Sequence, residues 1–313
     1  MRTYLEDTYG DNIRFVYRHL PLISIHDKAV ITAEASEAAA AQGKFFEMHD
    51  LLYERQQEWS PLPEGEIEAQ LVQYAEELDL DTDRFAQELS DHVYQEKILA
   101  DYEEYSEYGP MATPTYVVNN TFYPTQAFGG FGRLIDFIAL LNLQDRFYST
   151  PPPQVIDTNK DYIATIQTER GDIVIELYDD QVPVNVNSFV FLARDGWYDG
   201  VTFHRVIPGF VAQAGDPTGS GMGYPGYRCD DEIVSTLTYD KAGVVGMASA
   251  GPGTSSIGSQ FFITYDAAPQ LDGNYTIIGQ VVEGMDVARK LTPVEPGQGI
   301  TGDEIKTISI EER

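Results

Sequence analysis

Residues 151–153 are consecutive prolines inside the stretch YSTPPPQVIDTNKDY, which spans 148–162. Each proline fixes φ at about −65° and lacks a backbone N–H, so the run fits neither a helix interior nor a central strand. It reads as an extended, semi-rigid spacer that divides the chain. Before it lie long Ala/Glu/Gln-rich stretches with helical periodicity, and after it short β-branched runs punctuated by glycine. At 313 residues the chain can build two domains, each with its own core. The expected division is a first domain over 1–147, a Pro-rich linker over 148–160 and a second domain over 161–313.

Charge and cysteine usage exclude several classes of function. The formal charge is −30, from 50 acidic and 20 basic residues. Such a chain is repelled by phosphate backbones, so nucleic acid is not an expected partner. The acidity reads as solubility or adaptation to salt. Cys229 is the single cysteine, which excludes an intrachain disulfide and any CxxC redox or zinc motif. Its neighbours, YRCDDE, offer no catalytic partner, and a partly buried structural thiol is expected. The histidines (His19, His26, His49, His92 and His204) have no HxxxH or HxH spacing, so no metal is assigned. No run of about 18 apolar residues is present, and the start, MRTYLEDTYG, lacks the basic and apolar regions of a secretory signal.

In the first part, IRFVYRHLPL (13–22) reads as a buried strand, with helices at 27–42, 44–59, 64–80 and 82–108. TPTYVV and NTFYPTQAF read as two strands joined at Asn119-Asn120, and FGRLIDFIALL repeats apolar residues at three and four in a helix over 130–143. Strand, helical insert, hairpin and helix is the order of an α/β thioredoxin-like fold. IRFVYRHLPL, AAAAQGKFFEMHDLLYE and MATPTYVVNN resemble the DsbA-type disulfide oxidoreductases over most of 8–144. That resemblance implies a cis bond at Thr113-Pro114; otherwise Pro114 simply starts a strand. It also implies a CxxC at a helix start, and this chain opens at about the point where that helix continues. The domain is therefore expected to have an incomplete N-terminus without a redox centre. A CxxC and a signal or lipoprotein segment are expected upstream, with an extracytoplasmic, bacterial or archaeal setting.

The second part opens with YIATIQT, a turn at ERGD and IVIELYDD, a hairpin in which Ile173, Ile175 and Leu177 alternate. Pro183 opens a short helix, VPVNVNSFVFLAR, and short strands follow, ending in YTIIGQVV, a helix near EGMDVARKL and KTISIEE. Many strands and two helices suggest a closed antiparallel β-barrel with capping helices.

Three segments of this part carry chemistry: FHRVIPGFVAQAGD (203–216), GMASAGPGTSSIGSQFFIT (246–264) and QLDGNYTIIGQV (270–281). An arginine and a glutamine set among apolar residues cost free energy unless paired or in use. Together the segments, with GWYDG (196–200) and GDPTGSGMGYPGY, resemble the cyclophilin family of peptidyl-prolyl isomerases over 161–312. The resemblance implies that Arg205 is the catalytic arginine and that Gln213 orients it and the substrate. It implies that Phe210, Phe262 and Leu271 wall a proline pocket, with Val211 where the family often has methionine. Ala248, Ser249 and Gln260 match the rim that holds the residues before proline, Ser249 standing where asparagine is common. Gln270 replaces the tryptophan of animal members and Tyr275 a histidine, departures at the pocket edge that bear on ligand affinity more than on catalysis.

Taken singly, Phe210, Phe262 and Leu271 would read as core, Gln213 as satisfying a strand end, and His204 as structural. Their joint occurrence points to rotation of X-Pro bonds in proline-containing polypeptides, with no metal or cofactor. Two other classes compete: a prolyl-peptide-binding module with little turnover, against which an intact Arg205 argues, and a thiol-disulfide oxidoreductase, which the absence of a CxxC removes.

Overall fold

The computed structural model describes residues 1–108, 112–251, 253–298 and 300–313, so Met111 of MATPTYVVNN and Pro252 of the second motif lie outside the described residues. By packing, the chain separates into two compact units, Met1–Phe122 and Tyr123–Arg313.

The first unit is mostly helical: α1 (Arg2–Tyr9), α2 (Ala29–Ala40), α3 (Phe45–Glu54), α4 (Gln56–Trp59), α5 (Glu64–Glu77), α6 (Thr82–Ser90) and α7 (Gln95–Ser106). Its core joins Ala35 and Ala39 of α2 to Met48 of α3, Leu71 and Tyr74 of α5, and Phe85 of α6. Asp81 starts α6 by accepting the Arg84 N–H at 3.0 Å. The helix expected over 82–108 breaks between α6 and α7, where His92 takes φ 50°. The one expected over 44–59 breaks at Arg55. The Thr113–Pro114 bond is cis.

The strand expected over 13–22 does not form. Nor is the segment buried throughout as expected: Arg14, Val16 and Arg18 are exposed, Phe15 and Tyr17 half-buried, and His19 buried. A strand also needs a ladder partner. Here β1 (Val117–Val118) and β2 (Thr121–Phe122) pair only with each other among the described residues. The extended segment is held instead by side chains. Arg18 meets Asp101 of α7 at 3.0 Å, and His19 Nε2 meets Glu37 of α2 at 2.9 Å. Lys97 donates to the other Glu37 oxygen, and these partners, His19 first, hold that carboxyl below its usual range despite burial.

The second unit takes in α8 (Leu134–Leu143), although the sequence places 123–147 with the first domain. Leu143 is buried in this unit's main core, and Phe147 lies 4.9 Å from the Tyr224 ring. The linker is not a free spacer either. Asn187 accepts from Val155 and Ile156 N–H at 2.7 and 3.2 Å and donates to Pro153 O at 3.0 Å, while Ile156 is buried.

The remaining elements are β3 (Tyr162–Thr168), β4 (Gly171–Leu177), α9 (Pro183–Arg194), β5 (Arg205–Ile207), β6 (Val211–Ala214), β7 (Val244–Met247), β8 (Phe261–Thr264), β9 (Ile277–Glu283), α10 (Met285–Ala288) and β10 (Ile305–Glu312). The β3–β4 hairpin and the Pro183 helix start match the sequence reading. The strands form one curled antiparallel sheet in the order β10-β3-β4-β9-β7-β8-β6-β5. No ladder among the described residues joins the edges β10 and β5; the chain just before each meets at a bridge, Thr202 with Glu304. Alternate residues of the strands feed two separate apolar clusters. Ala212, Val245, Phe261 and Ile278 enter the main core, while Val211, Val244, Phe262 and Ile277 enter a smaller one. Among the described residues no helix is long and apolar enough to cross a membrane.

Candidate active site

The site is built on a row of residues facing each other across neighbouring strands. Arg205 of β5 pairs in register with Gln213 of β6, Gln213 with Phe262 of β8, and Phe262 with Gly246 of β7. Directly opposed residues share a sheet face, so strand pairing alone brings together side chains distant in sequence. Gly246 leaves room for this: a Cβ there would fall 2.2 Å from Tyr239 Oη and 2.7 Å from Phe262 Cζ.

Phe262 sits between Tyr239, stacked at 5.8 Å, and Tyr275, edge-on at 5.7 Å. With Val211, Val244, Ala268 and Ile277 these make the smaller apolar cluster. Its rim is half-buried and consists in part of Phe210, Ala248, Leu271 and Tyr275. The structure thus gathers Phe210, Val211, Ala248, Phe262, Leu271 and Tyr275 in one place. Sequence reasoning missed Tyr239, whose signal is one aromatic in LTYDKAG, outside every motif. Burial pushes its phenol far above the usual range, so it is a neutral wall.

Gln213 Nε2 donates to Gln260 Oε1 at 2.9 Å, and Gln260 Nε2 donates to Gly221 O at 3.0 Å and Gly223 O at 2.9 Å. Ala248 N–H donates to Gln260 O at 2.9 Å, tying the rim to the start of β8. Ser249 stands apart, its hydroxyl bonded to Gly251 O at 3.2 Å. Arg205 is half-buried, and among the described residues no carboxylate pairs with it. A guanidinium beside an apolar surface and without an ion-pair partner is available to a ligand.

Two other groups are set up differently. His204 is buried, and neither ring nitrogen makes a hydrogen bond of normal geometry. Burial lowers its pKa and the Arg205 charge adds to this, while Asp216 and longer contacts to Thr202 and Gln260 oppose it. Cys229 is buried with its thiol pushed up by burial, the inert state expected for it. Clefts of about 380 Å³ beside Asp161 and Tyr178 and about 210 Å³ beside His204 and Glu295 contain no residue of the row. Among the described residues no group of His, Cys, Asp or Glu is arranged to hold a metal.

Residues 163–312 match the family model described as Cyclophilin type peptidyl-prolyl cis-trans isomerase/CLD. A peptidyl-prolyl cis-trans isomerase of Schizosaccharomyces pombe, ppi1, is 48% identical over 143 residues, covering 42% of this chain and 91% of the relative. The chain belongs to the cyclophilin family. A peptidyl-prolyl cis-trans isomerase-like 3 of Rhizopus delemar is 42% identical over 159 residues, covering 47% of this chain and 92% of the relative. The crystal structure of a cyclophilin type isomerase from Cryptosporidium parvum is 37% identical, with a TM-score of 0.46, and spans 49% of this chain and 99% of its own. Residues 3–137 match a model described as Thioredoxin, so a thioredoxin-like N-terminal domain precedes the cyclophilin domain.

Proposed function

We propose that this cyclophilin rotates X-Pro bonds in polypeptide chains, with Arg205 as the group that stabilises the transition state. A guanidinium in register with Gln213, paired with no carboxylate among the described residues and beside an apolar cluster with a half-buried rim, is the observation that carries the reading. Rotation about the bond is slow because resonance makes C–N partly double, with a barrier of about 18–20 kcal/mol. In the twisted state the amide nitrogen regains its lone pair. A donor aimed at that nitrogen favours the twisted form over the planar one, which is the condition for catalysis.

Phe210, Val211, Phe262 and Leu271 grip the pyrrolidine ring while the preceding carbonyl turns. Gln213 orients Arg205 and the substrate carbonyl; Ala248, Ser249 and Gln260 carry the residues before proline, and Tyr275 closes the edge. No proton moves, so His204 has no step. The rate of a prolyl peptide in a protease-coupled assay tests the reading. Arg205→Ala is expected to lose about a hundredfold or more, and Arg205→Lys to rescue little, because one ammonium cannot reproduce the planar fork. A folded Arg205→Ala protein with full activity overturns the reading, whereas prolyl peptide binding without turnover in the wild type would leave a docking module.

We read 1–147 and 161–313 as sequence modules joined by 148–160, and the curled sheet as a barrel closed where Thr202 meets Glu304. A DsbA-type ancestry for the first module is supported by its order of helices, hairpin and terminal helix. The extracytoplasmic setting rests on the pairing of two folding modules alone, while the relatives described above are eukaryotic.

A further inference from the structure

We propose that Arg133, outside the cyclophilin match, is a positioning residue for the isomerase site, acting through the 216–226 loop on Gln260 and Gln213. The inference rests on the reading of Arg205 and Gln213 given above. Arg133 lies within the residues that match the thioredoxin model, yet it packs in the second unit. Its Nη2 donates to Ser220 O at 2.7 Å while its Nε holds Asp136 at 2.6 Å.

Ser220 belongs to a tightly organised loop. Asp216, fully buried, accepts from Thr218 N–H and Thr218 Oγ1 at 2.7 Å each and from Ser220 Oγ at 3.3 Å. A Cβ on Gly223 would lie 1.9 Å from Asp216 Oδ1 and 3.2 Å from Leu143 Cδ2, so the loop has no slack between its own carboxylate and α8. Further along, Phe147 packs on Tyr224, and Tyr148 N–H donates to Pro225 O at 2.9 Å. Residues 133–148 therefore grip the loop at Ser220, Gly223, Tyr224 and Pro225.

The loop in turn decides which way two amides face. A glutamine side chain offers donors at nitrogen and acceptors at oxygen. Gln260 Nε2 serves both Gly221 O and Gly223 O, so its Oε1 is left for Gln213. Turning Gln260 over would set an oxygen against two carbonyl oxygens. Gln213 must then offer its nitrogen to Gln260, which leaves its Oε1 for Arg205 or the substrate. Displacing the Gly221 and Gly223 carbonyls removes that instruction, and the arginine loses an oriented neighbour.

The test uses the full chain and four variants: Arg133→Ala, Arg133→Lys, Gln260→Ala and the Arg133→Ala/Gln260→Ala double variant. Readouts are kcat/KM on a prolyl peptide, the melting midpoint, and the NMR signal of the Gln213 side-chain amide. Arg133→Ala is expected to lower kcat/KM about fivefold and to shift the Gln213 signal, since small misplacements near a reacting group are costly. Arg133→Lys keeps a donor for Ser220 O and should retain most of the activity. In the Gln260→Ala background, Arg133→Ala should have no further effect, because residues in one network are not additive. An unchanged kcat/KM and Gln213 signal in Arg133→Ala overturns the proposal, as do losses that multiply in the double variant. Full activity in Arg205→Ala would instead remove the underlying site reading, so the two failures are distinguishable.

Discussion

Phe261 and Phe262 are neighbours on β8, the same residue type, and nearly equal in exposure at 0% and 5%. They lie on opposite faces of the sheet and belong to different kinds of surface. Phe261 packs edge-on against Phe189 of α9 at 5.5 Å and against Tyr198 at 5.7 Å, in a core whose gaps are filled by a helix and aromatic rings. Phe262 packs against Tyr239 and Tyr275, in a cluster whose rim is half-exposed. Burial does not separate the two; the exposure of their neighbours does. One face of the sheet is a finished core, and the other is a smaller cluster bordered by half-buried side chains.

Truncating each ring separates the two faces most sharply. Phe261→Ala is expected to cost about 4 kcal/mol, the cost of a cavity in a filled core. Turnover per folded molecule should stay close to wild type. Denaturant unfolding alongside peptide turnover measures both, and a selective loss of turnover in this variant breaks the comparison. Phe262→Ala should cost somewhat less stability, about 3 kcal/mol, and should also weaken prolyl peptide binding. Normal peptide affinity in that variant would mean that the second face is core as well.

The same contrast marks what was legible in the sequence. Arg205, Gln213 and Phe262 were legible through the resemblance of their motifs, and the register of β5, β6 and β8 adds that they fall in one row. The 13–22 segment alternates in exposure but has no ladder partner among the described residues, and such alternation marks a half-buried extended chain, whether or not a ladder exists. Arg133 and Tyr239 were invisible for a different reason. Each acts by contact with a segment distant in sequence, and nothing in FGRLIDFIALL or LTYDKAG encodes that contact. The proline run's backbone chemistry marks a spacer, while nothing in its own residues encodes the Asn187 side chain that ties it down.

A smaller effect is expected at the rim. Gln270 is exposed beside half-buried Leu271 on the short turn Pro269–Leu271. An indole here would extend the open cluster's apolar wall without entering any core. Gln270→Trp should therefore tighten a cyclosporin-type macrocycle about tenfold, equivalent to about 1.4 kcal/mol, and leave stability nearly unchanged. Calorimetry that finds the same dissociation constant would place the rim of the open face elsewhere.

The smallest expected effect is on pH dependence and concerns His204, which is buried next to Arg205 in sequence and has no part in the open face. Its pKa is lowered from the ordinary 6.5, first by burial and then by the Arg205 charge, with Asp216 opposing. A base whose pKa is lower in the folded state binds its proton more readily when unfolded. Stability then rises with pH wherever the unfolded chain carries more protons. The His204 contribution is therefore complete above about pH 6.5 and is lost as pH falls through the folded-state value. Glu295 lines the same cleft, so the His204 share is read against a variant that keeps every carboxylate. Denaturant unfolding of wild type and His204→Asn at pH 7.5 and 5.5 isolates the term as a difference of differences. Wild type should lose more stability on acidification than the variant. Equal losses would mean that the imidazole is solvated when protonated and that the finished side of the sheet opens to water at this edge.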